Sequence, residues 1–345
     1  MREDTPLYRG HVHLKQGYSV YQVAGGLSWL LFPLLSTTSI VLSLFCIYRA
    51  LAWNNDLSSW GYRLVVGSYS AWLWWDWSTP YSGRSRRSKH LVRLLRPLLD
   101  AAIAYFSPQL IADFDHDAVK SQLENHPVAF CCHPHGILSL GILSNFGLTG
   151  GTLFFKKPVN VLTLNVQFYV PIWREFCIAL GCSSVSRENV ESMLQNKEDF
   201  LIVLGGARES LDAHPGCMTL TIRPRTGFFR LALKHQAAVF PTLTFGELDL
   251  YRQIRSPLLR HIQHRLLRLM SVALPLFYAK YWLIPEPRPL VTVVGKPVIV
   301  EQRIEHPSRD DVAALQERYI AALADLHKKH AHKYQTLHKC PLIVK

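Results

Sequence analysis

From Gly17 to Tyr48 the chain carries no charged side chain, and the apolar heart of that run, Leu27 to Tyr48, is 22 residues long. Coiled as a helix it reaches about 33 Å, against a hydrocarbon core of about 30 Å. A cleavable signal peptide is shorter, begins nearer the N-terminus and ends in small residues. The run therefore predicts a membrane-inserted helix kinked at Pro33, with a buried core helix as the alternative.

A second apolar stretch, Leu64 to Trp75, lies between Arg63 and Asp76 and finishes in a cluster of Trp72, Trp74, Trp75 and Trp77. It is short for a span, and its tryptophans suit the interfacial layer. It reads either as a short returning helix that completes a hairpin or as a re-entrant piece. Arg84, Arg86, Arg87, Lys89, Arg93 and Arg96 follow, with no acid before Asp100. By the positive-inside rule that stretch faces the cytosol, which favours a hairpin with both chain ends cytosolic. The expected organisation is an N-terminal segment, 1–83, with a membrane hairpin at about 27–48 and 64–77, then a cytosol-facing domain over 84–345.

The net charge of +13, from 38 basic and 25 acidic residues, calls for an anionic partner. No helix-turn-helix, zinc-finger or RNA-recognition signature is present, and the cations flank apolar segments, so a phospholipid membrane fits better than nucleic acid. Downstream, Leu250 to Pro285 holds no acid but six cations, Arg252, Arg255, Arg260, Arg265, Arg268 and Lys280. Leu259, Ile262, Leu266, Leu269 and Ala273 fall on one helical face, with Arg260, His264 and Arg268 on the other. This predicts a basic amphipathic, membrane-contacting segment at about 252–284. The seven cysteines include no C-x-x-C pair, and Cys131 and Cys132 are adjacent, which disfavours a disulfide framework and a zinc knuckle.

Beyond residue 125, apolar runs alternate with helical periodicity. Val128–Cys132, Asn160–Leu164, Phe200–Leu204, Ala238–Phe245 and Val291–Val294 read as strands. Residues 136–147, Arg187–Asn196 with Ser186 as its cap, and Thr226–His235 read as helices. Ser308 with Asp311 opens another helix, striped by Val312, Leu315, Tyr319, Leu323 and Leu326. The fold class is α/β, a mainly parallel sheet flanked by helices, whose chemistry gathers at the carboxyl ends of strands. Three such ends stand out: His133-Pro134-His135-Gly136, the run from Gly205 to Leu211, and Gly246-Glu247.

His133 and His135 would face one way on an extended chain, which suits a metal, but no further ligand follows closely. Metal ligation is therefore a minor alternative, and a backbone-bonded structural histidine is another, stronger for His133. A histidine at a helix N-terminus is kept neutral by the dipole, which suits a general base acting on a hydroxyl.

HPHG at 133–136, Pro171-x-x-Arg174, GGARES at 205–210, Arg225-x-Gly227-Phe228 through Phe240-Pro241 to Phe245-Gly246-Glu247, and Gly295-Lys296-Pro297-Val298 occur in order. Together they resemble the type 2 diacylglycerol acyltransferase family, which also holds monoacylglycerol and wax-alcohol acyltransferases. Arg208 departs from that pattern, standing where small residues are commoner. The resemblance implies a glycerolipid-acyltransferase-like fold in the endoplasmic-reticulum membrane, with the lipid-droplet surface as a further location. It implies acyl transfer from fatty acyl-CoA to diacylglycerol, giving triacylglycerol, with monoacylglycerol or a long-chain alcohol as the alternative acceptor.

By the same resemblance His135 is the catalytic base, with Glu209 its partner or a nearby site residue and His133 a further catalytic candidate. Backbone amides near Gly136, Gly205 and Gly206 are candidates for the oxyanion. Arg225, Arg223 and Arg174 are candidates for the acyl-CoA, with a core-bordering salt bridge the alternative for Arg225 and Arg223. Coenzyme A leaves as a thiolate, so no cofactor or metal is required. Self-association into a homo-oligomer is left open. Readings from other classes are a non-catalytic lipid-binding scaffold, a metallohydrolase using His133 and His135, and covalent catalysis through Cys131 or Cys132.

Overall fold

Six successive residues, Val128–His133, are buried along their whole length. A strand hidden on both faces needs covering helices on both sides, and parallel neighbours joined by crossovers supply them. The computed structural model describes residues 8–9, 20–52, 56–83, 86–147, 159–254, 256–270, 273–334 and 340–345. Arg84, Arg255, Ser271 and Val272 of the basic segments lie outside them.

The main sheet contains β1 Tyr8–Arg9, β2 Gln109–Ala112, β3 Val128–His133, β4 Asn160–Thr163, β5 Cys182–Ser184 and β6 Phe200–Val203. Two short strands, β7 Met218–Leu220 and, later, β13 Leu342–Val344, pair separately in parallel. The main sheet resumes with β8 Ala238–Phe245, and β9 Arg252–Gln253 pairs with β10 Phe277–Tyr278 in a small antiparallel ladder. β11 Val291–Val294 and β12 Val298–Ile299 complete the main sheet, whose order is β1-β2-β11-β8-β3-β6-β4-β5 with β12 also on β8. β3 runs parallel to β6 and β8, and β4 parallel to β5 and β6. β11 and β12 lie antiparallel on β8, so the sheet is largely but not wholly parallel.

The helices are α1 Val20–Leu51, α2 Leu57–Asp76, α3 Lys89–Leu94, α4 Arg96–Tyr105, α5 His116–Gln122 and α6 Trp173–Ala179. After them come α7 Arg187–Gln195, α8 Gly206–Asp212, α9 Thr226–Lys234, α10 Pro257–Met270 and α11 Arg309–Tyr334. Alternate residues of the central strands serve opposite cores. Ala129, Cys131, Val239 and Leu243 join Met193 of α7, Phe229 of α9 and Leu323 of α11. Phe130, Cys132 and Phe240 join Val119 of α5 and Phe146 on the other side. The expected caps form: Ser186 accepts from the Asn189 amide at 3.3 Å, and Ser308 from that of Asp311 at 3.1 Å.

α1 divides into two parts. Its start packs on α4 because Gly25 and Gly26 have no side chain; a Cβ on Gly25 would lie 2.9 Å from Tyr105 Cβ. Trp29 is buried there and donates its indole N–H to the Ala102 carbonyl at 3.0 Å. From Leu34 to Leu51 the apolar side chains stand largely exposed. Within Gly25–Leu51 the most apolar 18-residue window has a mean hydropathy of 2.1 with 6% buried, and among the described residues this is the one helix long and apolar enough to cross a membrane.

α2 is longer than the sequence reading allowed. It begins at Leu57, because Asp56 caps it by accepting from the Ser59 amide at 2.9 Å, and it runs 20 residues. Arg63 does not end the helix. Its guanidinium turns to the C-terminal carbonyls of α1, Ala50 and Ala52, each at 3.1 Å, where a cation suits the dipole. At its far end Asp76 is buried in an ion pair with Arg174 at 2.9 Å and another with Arg86.

Candidate functional site

Because β3, β6 and β8 are parallel, their carboxyl ends open on one edge of the sheet. β3 delivers His133 to Gly136, β6 leads through Gly205 into α8 with Glu209, and β8 leads into Glu247.

Glu209 is 2% exposed and anchors the cluster. One carboxylate oxygen accepts the Thr221 amide at 2.7 Å, and the other accepts the His135 amide at 3.0 Å. The His133 Nδ1 lies 3.9 Å from the first oxygen. Burial alone would push the Glu209 carboxyl upward, but His133 and the two amides outweigh it and hold the group below its ordinary value. Gly205 makes this possible, since any Cβ there would overlap the Glu209 carboxylate.

The expected contact between Glu209 and the His135 ring is not what forms. Glu209 holds the His135 main chain, while the ring Nδ1 lies 3.1 Å from the Gly136 carbonyl. A carbonyl only accepts, so Nδ1 carries the proton and Nε2 keeps its lone pair. Burial lowers the His135 pKa below the ordinary histidine value, partly opposed by the Glu209 charge. The result is a neutral imidazole whose basic nitrogen is Nε2.

Burial, not a helix dipole, keeps the ring neutral, because the helix expected over 136–147 does not begin at Gly136. A turn runs to Ser139, followed by one α turn at Leu140–Ile142 and a π turn at Leu143–Gly147. The amides of that turn are already taken: Glu247 accepts from Leu140 at 3.1 Å and from Gly141 at 2.6 Å. Gly136 has φ +59°, and a Cβ on it would run into the Glu247 carboxylate. Glu247 is itself 3% exposed, and burial pushes its carboxyl up to about 7. It supports the histidine loop from below.

His133 is wholly buried and turned away from His135, with its Nε2 2.9 Å from the Tyr319 hydroxyl of α11. The Tyr319 hydroxyl gives its one proton to the Cys131 carbonyl at 3.2 Å, so His133 Nε2 donates to the hydroxyl oxygen, and His133 Nδ1 stands 3.9 Å from Glu209, beyond hydrogen-bond distance. The two rings thus bond different groups, Tyr319 for His133 and the Gly136 carbonyl for His135, while Glu209 lies against both residues. Cys131 and Cys132 are fully buried, and burial pushes both thiols up, away from the thiolate needed for covalent catalysis.

The three arginines part company. Arg225, just before α9, donates from Nη2 to the Gly205 carbonyl and leaves Nε buried without a partner. Burial and the neighbouring Arg208 both lower its pKa. Arg223 is exposed and paired with Glu317 of α11. Arg174 is 1% exposed and bonds Asp76 and Glu175, so it ties α2 to α6. Gly205 and Gly206 stand at the start of α8, Gly206 with φ +59°.

Glu247 sat in a motif without an assigned role, and Tyr319 read as one more apolar stripe position. Thr221 acts through its amide, which leaves no sequence signal.

The sequence profile described as "Diacylglycerol acyltransferase" matches residues 59–345. The 2-acylglycerol O-acyltransferase 1 of Bos taurus is 35% identical over 91% of this chain and 92% of its own length. The diacylglycerol O-acyltransferase 2 of Dictyostelium discoideum is 34% identical, covering 79% and 82%. The human diacylglycerol O-acyltransferase 2 is 32% identical, covering 79% and 71%. Among solved structures, the 1-acyl-sn-glycerophosphate acyltransferase PlsC from Thermotoga maritima aligns with a TM-score of 0.39 and 11% identity, over 88% of this chain and 98% of that one.

Proposed function

The chain belongs to the diacylglycerol acyltransferase family, and from that premise we propose that His135 moves a fatty acyl group from acyl-CoA to the free hydroxyl of diacylglycerol. The protein is an acyl-CoA-dependent acylglycerol O-acyltransferase. His135 Nε2 takes the hydroxyl proton as the oxygen attacks the thioester carbonyl. The new C–O bond forms, the C–S bond breaks, and coenzyme A departs as a thiolate that recovers the proton from the imidazolium. Glu209, already anionic, steadies that imidazolium through space and fixes the loop that carries it.

Amides at Gly136 or at Gly205 and Gly206 receive the oxyanion. Arg225, with Arg208 beside it, meets the phosphates of coenzyme A. Arg223 and Arg174 already have acidic partners and are the weaker candidates. No cofactor enters the reaction. The observation that carries the reading is the His135 ring itself, held by one nitrogen and leaving the other as a base.

A membrane reading completes it. The exposed part of α1, 18 residues from Leu34 to Leu51, rises about 27 Å and spans most of a hydrocarbon core. α2 returns beside it: Phe45 meets Tyr62 edge-on at 5.8 Å, and Arg49 donates to Ser58 at 3.0 Å. The pair inserts as a hairpin with both chain ends on the cytosolic side of the endoplasmic reticulum, where a lipid acceptor reaches the site from the bilayer.

Monoacylglycerol is the second acceptor, favoured by the likeness to the bovine 2-acylglycerol O-acyltransferase 1. The test offers labelled oleoyl-CoA with diacylglycerol, 2-monoacylglycerol and hexadecanol in parallel to membranes carrying the protein. Labelled triacylglycerol from diacylglycerol is the expected product. Product from another acceptor alone would replace the substrate, and none from any would return the chain to a lipid-binding scaffold.

A further inference from the structure

α10 has three faces. Gln263 is buried and donates to the Leu274 carbonyl at 2.9 Å, with Leu259, Leu266 and Leu267 half-buried beside it. Arg260 reaches toward Asp212 at the end of α8, at 3.9 Å, so the helix sits in a defined orientation on the body. Around the cylinder from that face runs an apolar stripe open to solvent: Leu258 is 72%, Ile262 46% and Leu269 82% exposed. Next to the stripe stand His261, His264, Arg265 and Arg268, also exposed. The sequence puts Leu259, Ile262, Leu266 and Leu269 on one apolar face, and the structure divides that face, with Leu259 and Leu266 half-buried and Ile262 and Leu269 turned outward.

The return strand continues the same character. Lys280 is exposed, and Trp282 is 85% exposed. Two residues on, Ile284 packs against α1, where a Cβ on Gly26 would come within 3.0 Å of Ile284 Cγ2. Gly26 lies at the start of the long apolar stretch of α1. Ile284 thus lies beside the body-packed start of α1, eight residues or about 12 Å before the exposed part begins at Leu34, on the side from which that part enters a bilayer and where tryptophan favours the interfacial layer. No acid occurs between Leu250 and Pro285, so nothing on this segment opposes a negative surface.

We propose that α10 and the 280–283 loop form a second membrane-docking surface, with Leu258, Ile262, Leu269 and Trp282 in the acyl boundary and Arg265, Arg268 and Lys280 on the phosphates of anionic phospholipids. This rests on α1 being membrane-embedded, and the experiment separates the two. Each neutralised cation reduces the docked-to-undocked ratio roughly fivefold, the equivalent of about 1 kcal/mol near an anionic leaflet.

The full-length protein is reconstituted into vesicles of phosphatidylcholine with and without phosphatidylserine. It carries the photo-crosslinker p-benzoylphenylalanine in place of Leu269, of Leu44 on α1, or of Glu124 at the opposite end of the sheet. The expected result is lipid adducts at positions 44 and 269 and none at 124. The adduct at 269 rises several-fold with phosphatidylserine and falls again when Arg265→Gln, Arg268→Gln and Lys280→Gln are combined, while that at 44 does not change. All of these side chains are exposed, so folding is not at stake.

Lipid adducts at 44 but not at 269 would overturn the docking surface and leave the anchor standing. Adducts at neither would remove the anchor. Equal adducts at 269 in both vesicles would overturn the anionic headgroup partner, and adducts to a second copy of the protein would make the stripe a protein interface.

Discussion

Replacing Glu209 by Gln keeps the size of the side chain and removes its charge, and the geometry says what that costs. Each carboxylate oxygen accepts one backbone N–H, from Thr221 at 2.7 Å and from His135 at 3.0 Å. A glutamine offers one acceptor oxygen and one NH2, so one of these buried amides must face a donor. An unpaired buried donor costs about 1–3 kcal/mol, and bonds to a charged acceptor are worth about 1.5–3 kcal/mol. Both figures describe the same pair of amides and overlap, so roughly 2–4 kcal/mol of support for the His135 loop is lost, or about 30- to 1000-fold in acyl transfer at 1.36 kcal/mol per decade.

The pH dependence supplies a second reading. The Glu209 carboxyl is held below its ordinary value, so its stabilisation is complete above the ordinary carboxylate range and lost as pH falls through the lowered value. Glu209→Gln therefore lowers the melting temperature at neutral pH and removes part of the acid destabilisation. The Glu209 charge also props up the His135 pKa, so the acid limb of kcat/KM moves to lower pH in the variant while the maximum falls. Thermal unfolding in detergent and acyl-transfer rates across pH measure both. Near-wild-type turnover, or an acid limb moved upward, would refute this account of Glu209.

Other perturbations probe the neighbours. Gly205→Ala sits at φ −68°, ordinary for alanine, so its only effect is to displace the Glu209 carboxylate; activity should drop at least tenfold, and unchanged kinetics would show that Glu209 does not need its place. Tyr319→Phe deletes the hydroxyl that His133 and the Cys131 carbonyl share, for a stability loss of about 1 kcal/mol by denaturant titration and a shifted pH–rate profile. A loss of stability with the profile unmoved would make Tyr319 a packing residue alone. Glu247 has its carboxyl raised to about 7, so its native proton favours the fold at low pH and that benefit fades as pH rises from the ordinary carboxylate range to about 7. Glu247→Gln should flatten the stability–pH slope over that interval.

How far the sequence led depends on the element. Val128–Cys132, Phe200–Leu204 and Ala238–Phe245 were legible because long β-rich apolar runs end at chemistry-bearing residues and glycine. β5, β7 and β13 were not, since three-residue strands carry no period of their own. Residues 136–147 misled because Gly136, Gly141 and a run of leucines and isoleucines satisfy a helical pattern, whereas the φ of +59° at Gly136 and the Glu247 carboxylate under the turn decide the conformation. Counting α2 from Arg63 failed for a similar reason: a distant partner, the carbonyl end of α1, takes up the charge. The candidate site shows the same split. His133, His135 and Glu209 are brought together, but Glu209 meets His135 through the main chain, and backbone contacts leave no trace in residue identity.

The most direct test of the central claim is acyl transfer by the wild type and His135→Ala in the same membranes, with expression and melting temperature matched. Triacylglycerol synthesis by the wild type that falls by at least about 10²-fold in the variant, without a change in folding, is the predicted result. A variant that still makes triacylglycerol at a comparable rate would contradict it and move the base to another residue.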